Sequence, residues 1–121
     1  MQLKIATLAA FFVFTLIFSQ SALAVSYPYV GSFGSQGLSK TGSFTYPQYV
    51  AVDDSGNVYV TDLGNARVQK FDNDGEFLHS WGSKGTGKSE FHSPAGIAVG
   101  GNYVYVADHD LNVIKKFDLN G

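Results

Sequence analysis

The chain repeats itself. Residues 31–75 laid over residues 80–121 bring Phe33-Gly34-Ser35 onto Trp81-Gly82-Ser83, Phe44-Thr45-Tyr46-Pro47 onto Phe91-His92-Ser93-Pro94, and Val50-Ala51-Val52 onto Ile97-Ala98-Val99. Further along, Val58-Tyr59-Val60-Thr61-Asp62 meets Val104-Tyr105-Val106-Ala107-Asp108, and Val68-Gln69-Lys70-Phe71-Asp72 meets Ile114-Lys115-Lys116-Phe117-Asp118. The offset runs from 48 to 46 residues. A unit of that size, copied along a chain, cannot hide its apolar face alone, so the copies must stack on one another.

Each copy divides into short β-favouring runs separated by turn residues. In the first, residues 50–53, 58–62, 67–72 and 76–81 are punctuated by Asp54-Ser55-Gly56, Leu63-Gly64-Asn65-Ala66 and Asn73-Asp74-Gly75. Val and Tyr suit a pleated surface, whereas Asp, Asn and Gly tolerate the left-handed backbone of tight turns. The expected fold is therefore all-β, with blades of four antiparallel strands, and the repeat period is that of a β-propeller. A sandwich of about seven strands does not repeat its sequence in this way. The aromatic residues Tyr59, Phe71, Phe77, Trp81, Phe91, Tyr105 and Phe117 are expected between blades.

The run from Tyr59 to Asp72, with Asp62, Asn65, Arg67 and Phe71 at their spacings and Pro47, Val50-Ala51-Val52-Asp53 and Gly56-Asn57 before it, resembles the NHL repeat. Residues 94–118 resemble a second, more divergent copy, in which Leu111 and Val113 replace Asn65 and Arg67. The resemblance implies a β-propeller, usually six-bladed, used most often as a rigid interaction platform and in some relatives as an enzyme. On that reading the chain holds two blades of six, incomplete here. Residues 35–81 form blade 1, residues 82–121 form blade 2 without its last strand, and residues 25–34 supply a strand completing a distant blade. The ends are thus complementary, as expected of either a truncated reading frame or a head-to-tail assembly through blade stacking.

Residues 1–24 read as an address. One lysine, an apolar run over residues 5–18 and Ala22-Leu23-Ala24 match a secretory signal peptide cleaved after Ala24. The competing reading is a membrane anchor over residues 5–24, long enough to span a bilayer. Either way the remainder is expected outside the cytoplasm. With no cysteine, disulfides, thiol catalysis and cysteine-ligated metals are excluded.

Motifs that promise chemistry weaken on inspection. Residues 82–89 satisfy G-x-x-x-x-G-K-[ST], but Pro94 denies them the helix a phosphate loop requires, and the first repeat carries only the Gly and Ser character of a flexible connector. Asp72-Asn73-Asp74-Gly75-Glu76 begins like a calcium loop and lacks the bidentate Glu at its twelfth position, so a hairpin turn is expected. Asp62 and Arg67 read as a structural pair, the carboxylate taking loop amides and the guanidinium bracing it.

No catalytic set, cofactor site or metal site is legible. A net charge of −2, with no run of five like charges, argues against nucleic acid as a partner. Topology sorts Lys40, Lys84, Lys88, His92, His109 and Tyr46 to the face carrying the long Gly/Ser/Lys loops, where binding usually resides. Tyr46, Lys84, Lys88, His92 and His109 are the candidate ligand-binding residues. The expected function is a secreted, non-catalytic binding module for an extracellular protein, peptide or glycan. The alternative is a fragment of an extracellular propeller enzyme, a metal-assisted lyase or a lactone or ester hydrolase, whose catalytic residues lie on other blades.

Overall fold

The computed structural model describes residues 28–38 and 40–121. The signal-peptide and anchor readings of residues 1–24 and 5–24 fall outside them. Among the described residues, strands β3 (Pro47–Val52), β4 (Val58–Asp62), β5 (Arg67–Phe71) and β6 (Phe77–Trp81) form one antiparallel sheet in that order, and β7 (Pro94–Gly100), β8 (Tyr103–Asp108) and β9 (Val113–Asp118) form another. A short parallel pair, β1 (Ser35–Gln36) and β2 (Ser43–Phe44), precedes them, and a 3-10 turn at Leu63–Asn65 joins β4 to β5. The described residues are all-β, and their two meanders are propeller blades, one of four strands and one of three.

The turns follow from their side chains. Asp53 Oδ1 accepts from the amides of Ser55 and Asn57, both at 2.9 Å, and Gly56 at φ +85° lets the chain reverse. Asp72 Oδ1 likewise accepts from Asp74 and Glu76, with Gly75 at φ +86°. The calcium-like run is thus a hairpin turn.

The core lies between the two sheets rather than within either. Tyr59, Ala66, Val68 and Trp81 of the first meet Phe91, Val104 and Val106 of the second, with Ile97, Val99, Phe117 and Leu119 packed around them. Alternation along each strand directs one face to this seam. Each valine buried there contributes about 1.5–3 kcal/mol relative to exposure. Trp81 lies 5.9 Å from Phe117 and 6.3 Å from Tyr59, centroid to centroid, as expected of inter-blade aromatics. Three of that series depart from it: Phe71 and Phe77 meet each other, with Phe33 and Phe44 also against Phe71, away from this seam, and Tyr105 is exposed.

Tyr29 to Phe33 shows no strand pairing among the described residues. Its last ring is nonetheless anchored, with Phe33 4.9 Å from Phe71.

The two glycine-rich connectors are more ordered than their composition suggests. Gln36 pairs in parallel with Phe44, and Lys84 pairs with Phe91 in the same way one repeat later. The amides of Gly37 and Gly85 donate to the carbonyls of Phe44 and Phe91, both at 3.0 Å. The expectation of flexible connectors is therefore corrected: backbone pairing and the polar clamps described below hold both loops.

Candidate functional site

A buried polar knot fixes the long-loop face of blade 1. Asp62, fully buried at the end of β4, faces Arg67 at the start of β5, and Arg67 Nε donates to Asp62 Oδ2 at 3.0 Å. The same carboxylate accepts from the Thr45 amide at 2.8 Å and from Asn65 Nδ2 at 2.7 Å. Arg67 Nη2 donates on to the carbonyls of Lys40 and Ser43, both at 2.8 Å. Satisfied on all sides, the pair works as a clamp on the connector, as its sequence implied.

Blade 2 keeps the carboxylate and moves the cation. Asp108 accepts from the amides of His92 at 2.7 Å, Ser93 at 3.0 Å and Leu111 at 3.3 Å. Burial pushes its pKa up, but these three amides and the nearby Lys115 ammonium outweigh burial and hold it below the usual carboxylate range. Lys115 Nζ donates to the carbonyls of Gly87, at 2.6 Å, and Glu90.

The phosphate-loop lookalike is filled by the protein itself. Glu90 Oε2 accepts from the Gly87 amide at 2.8 Å, and a Cβ on Gly85 would come within 2.1 Å of that oxygen. An internal carboxylate occupies the hollow of the loop, and no helix follows it among the described residues.

Between the two clamps opens a groove of about 490 Å³. One wall is Leu38, Tyr46 and the 3-10 turn of blade 1; the other is Lys84, His92 and Ser93 of blade 2. Tyr46 stands out. Its φ of +60° is costly for an aromatic residue, yet its carbonyl accepts from the Leu63 amide and its neighbour Thr45 accepts from Gly64, at 3.2 and 2.7 Å. A Cβ on Gly64 would meet the Thr45 carbonyl at 2.5 Å, so the turn closes only over glycine. The ring so placed is 71% exposed beside the equally open Leu38.

Opposite, Lys84 Nζ donates to the His92 carbonyl at 2.6 Å. Asp110 then gathers three side chains: Ser93 Oγ at 2.5 Å, with His92 Nδ1 and His109 Nδ1 each at 2.8 Å. The Ser93 hydroxyl first, then His109 and His92, hold the Asp110 carboxyl well below the ordinary carboxylate range.

Of the five candidate residues, the groove thus unites Tyr46, Lys84 and His92. His109 reaches its rim through Asp110. Lys88 stands apart, in a second depression with Thr86, Leu111, Val113, Lys115 and Lys116. Sequence reading missed Leu38 and the bridging role of Asp110, which lies 17 and 18 residues from Ser93 and His92. The strained Tyr46 had no signal either, since its counterpart Ser93 lies in ordinary backbone.

A family profile described as NHL repeat matches residues 44–71. Over 82 residues the chain is 34% identical to NHL repeat-containing protein 2 of Gallus gallus, an overlap covering 61% of this chain and 11% of that protein. It is 39% identical over 76 residues to RING finger protein nhl-1 of Caenorhabditis elegans, covering 63% of this chain and 8% of that protein. A third relative is the probable peptidyl-alpha-hydroxyglycine alpha-amidating lyase pgal-1 of the same organism, 35% identical over 86 residues, covering 66% of this chain and 25% of that protein. The chain therefore spans a quarter or less of the length of these relatives.

Proposed function

Since residues 44–71 are an NHL repeat and the sheets around them are propeller blades, we propose that the chain is part of an exported, non-catalytic interaction module whose groove between blades 1 and 2 takes an extended segment of a partner protein. The observation that carries this reading is Tyr46, held at φ +60° by hydrogen bonds on both sides with its ring left in solvent. Strain kept in place to present an aromatic surface is a mark of a contact site. Leu38 and Tyr46 offer an apolar wall for one partner side chain, and Lys84 offers a cation for a carboxylate nearby. The polar clamps on either side keep the walls rigid, so little ordering cost falls on binding.

Selection of a displayed random-peptide library on the immobilised chain tests this. Selected peptides should carry an acidic residue beside an apolar one, and Tyr46→Ala and Lys84→Glu should each weaken their binding at least tenfold. Peptides that bind both variants as well as the original chain would remove the groove from consideration.

A second reading rests on the likeness to the amidating lyase and on the two imidazoles oriented by Asp110. It requires the chain to cleave the N–Cα bond of a peptidyl-alpha-hydroxyglycine, the hydroxyl proton being lost as the carbinol becomes the aldehyde of glyoxylate and the nitrogen leaving protonated as the peptide amide, with loss on His92→Ala; absence of turnover leaves the binding reading alone.

A further inference from the structure

Blade 2 carries a titratable cluster that blade 1 does without. The turn after Asp108 is closed by the His109 amide on the Ser93 carbonyl at 3.0 Å, and blade 1 closes the matching turn with the Leu63 amide on the Tyr46 carbonyl at 3.2 Å. Where blade 1 has Thr45, Leu63 and Gly64, blade 2 has His92, His109 and Asp110. The shared backbone bond needs none of these three side chains, yet Asp110 gathers both imidazoles and the Ser93 hydroxyl. His92 and Ser93 also stand in the groove wall, beside Lys84. Both walls of that groove belong to this chain.

The chemistry of the cluster follows from Asp110. Held well below the ordinary carboxylate range, it is ionised and can only accept, so Nδ1 of each bonded ring carries a proton. In the neutral ring, Nε2 is then a bare acceptor. Protonation turns both Nε2 atoms into donors and adds a positive charge on each ring. His92 is half exposed and His109 largely exposed, so both rings are open to a ligand.

The other charged groups around the rings are already committed. Lys84 donates to the His92 carbonyl, Asp108 accepts from three amides, and Glu90 accepts from Gly87. Lys115 holds the Gly87 and Glu90 carbonyls, and the Asp62–Arg67 pair lies behind the opposite wall. Carboxylic acids ordinarily lose their proton near about pH 4, and ammonium and guanidinium groups keep theirs to about pH 10 or beyond. Imidazole is therefore the side chain that changes charge between about pH 5.5 and 8.

We propose that the groove contains a carboxylate subsite gated by pH, in which an Asp or Glu side chain of the partner segment binds against Lys84, His92 and His109 when the two rings are protonated and is released when they are neutral. The inference rests on the groove reading above and adds its regulation. A carboxylate has no proton to give to a bare Nε2, but it accepts from a protonated one. Bound carboxylate favours the charged rings, so binding takes up protons. It is strongest below the ordinary imidazole value of about 6.5 and fades as pH rises through it.

The test repeats the peptide selection on the purified chain at about pH 5.5 and measures the selected peptides at that pH and at about pH 8. Acidic peptides whose binding is weakened by Tyr46→Ala should bind at least about fivefold more tightly at the lower pH, as one or two added charges beside a carboxylate in water imply. His92→Gln combined with His109→Gln should remove that difference. His79→Gln should preserve it, because the third imidazole stacks on Trp81 away from the groove. Proton NMR of the original chain reads the same linkage without any substitution: the titration midpoints of the His92 and His109 rings should rise when the peptide is added. Equal affinity at the two pH values, tighter binding at the higher one, a pH effect that survives the double substitution, or unmoved midpoints would overturn the inference and leave the groove reading standing. Failure to select any peptide that depends on Tyr46 would overturn both.

Discussion

Lys115 sits two residues further along its strand than the position matching Arg67, yet its ammonium grips the carbonyls of Gly87 and Glu90, which match the carbonyls of Lys40 and Ser43 that Arg67 holds. Two residues along a strand is one step on the same face, so the cation moved without leaving the loop it clamps. Gln69, the residue that Lys115 matches, also donates to the Ser43 carbonyl, at 2.8 Å. The blades thus share a structural task, and different side chains perform it.

The two clamps should fail differently. Arg67→Met strands the fully buried Asp62 carboxylate and should cost about 3–5 kcal/mol. Lys115→Met leaves Asp108 with its three amide donors and should cost about 1–3 kcal/mol. Urea unfolding of both variants checks the difference, and equal losses would show that the amides do not sustain Asp108.

Stability should fall at both ends of the pH scale. Asp53 and Asp108 are depressed in the folded chain; in Asp53, burial is outweighed by hydrogen bonds from Asn57 first, then Tyr59 and Ser55. Their contribution is present above the unfolded carboxylate value of about 4 and is lost as pH falls through the folded one. Tyr59 is raised, chiefly by burial and then by its bond to Asp53, so its contribution is present below about pH 10 and is lost as pH rises beyond it. Urea midpoints across pH should show the acid limb shallower in Asp108→Asn and the alkaline limb shallower in Tyr59→Phe.

Glycine substitutions separate backbone strain from crowding. Gly101 has φ +57° and open space around it, so Gly101→Ala should cost about 1 kcal/mol from conformation alone. Gly82 has φ +100° and a Cβ there would meet Phe91 at 2.5 Å and the Ala66 carbonyl at 2.9 Å. Gly82→Ala should lose a further 1–3 kcal/mol or about that, because the Phe91 ring at the seam must move. Matched melting temperatures for the two variants would contradict the crowding.

The architecture was legible because it is written twice. Strand pattern, turn residues and the Asp62–Arg67 pair each depend on neighbours within about one hairpin, and repetition at a fixed offset exposes whatever stacks. The groove was only half legible. Tyr46, Lys84 and His92 could be sorted to one face by topology, but their meeting depends on the angle at which one blade leans on the next. The Asp110 bridge depends on that loop geometry too, and the Lys115 clamp escaped notice because it left the aligned column that Arg67 occupies.

The chain has one tryptophan, and it stands at the seam, packed against Tyr59, Phe117 and the backbone of Gly121. Its indole emission is therefore a built-in gauge of whether the wedges are touching, to be read beside the β-sheet dichroism because Tyr59 and His79 of its own blade also lie against it. A red shift that precedes loss of the β-sheet dichroism would time the parting of the blades separately from their melting.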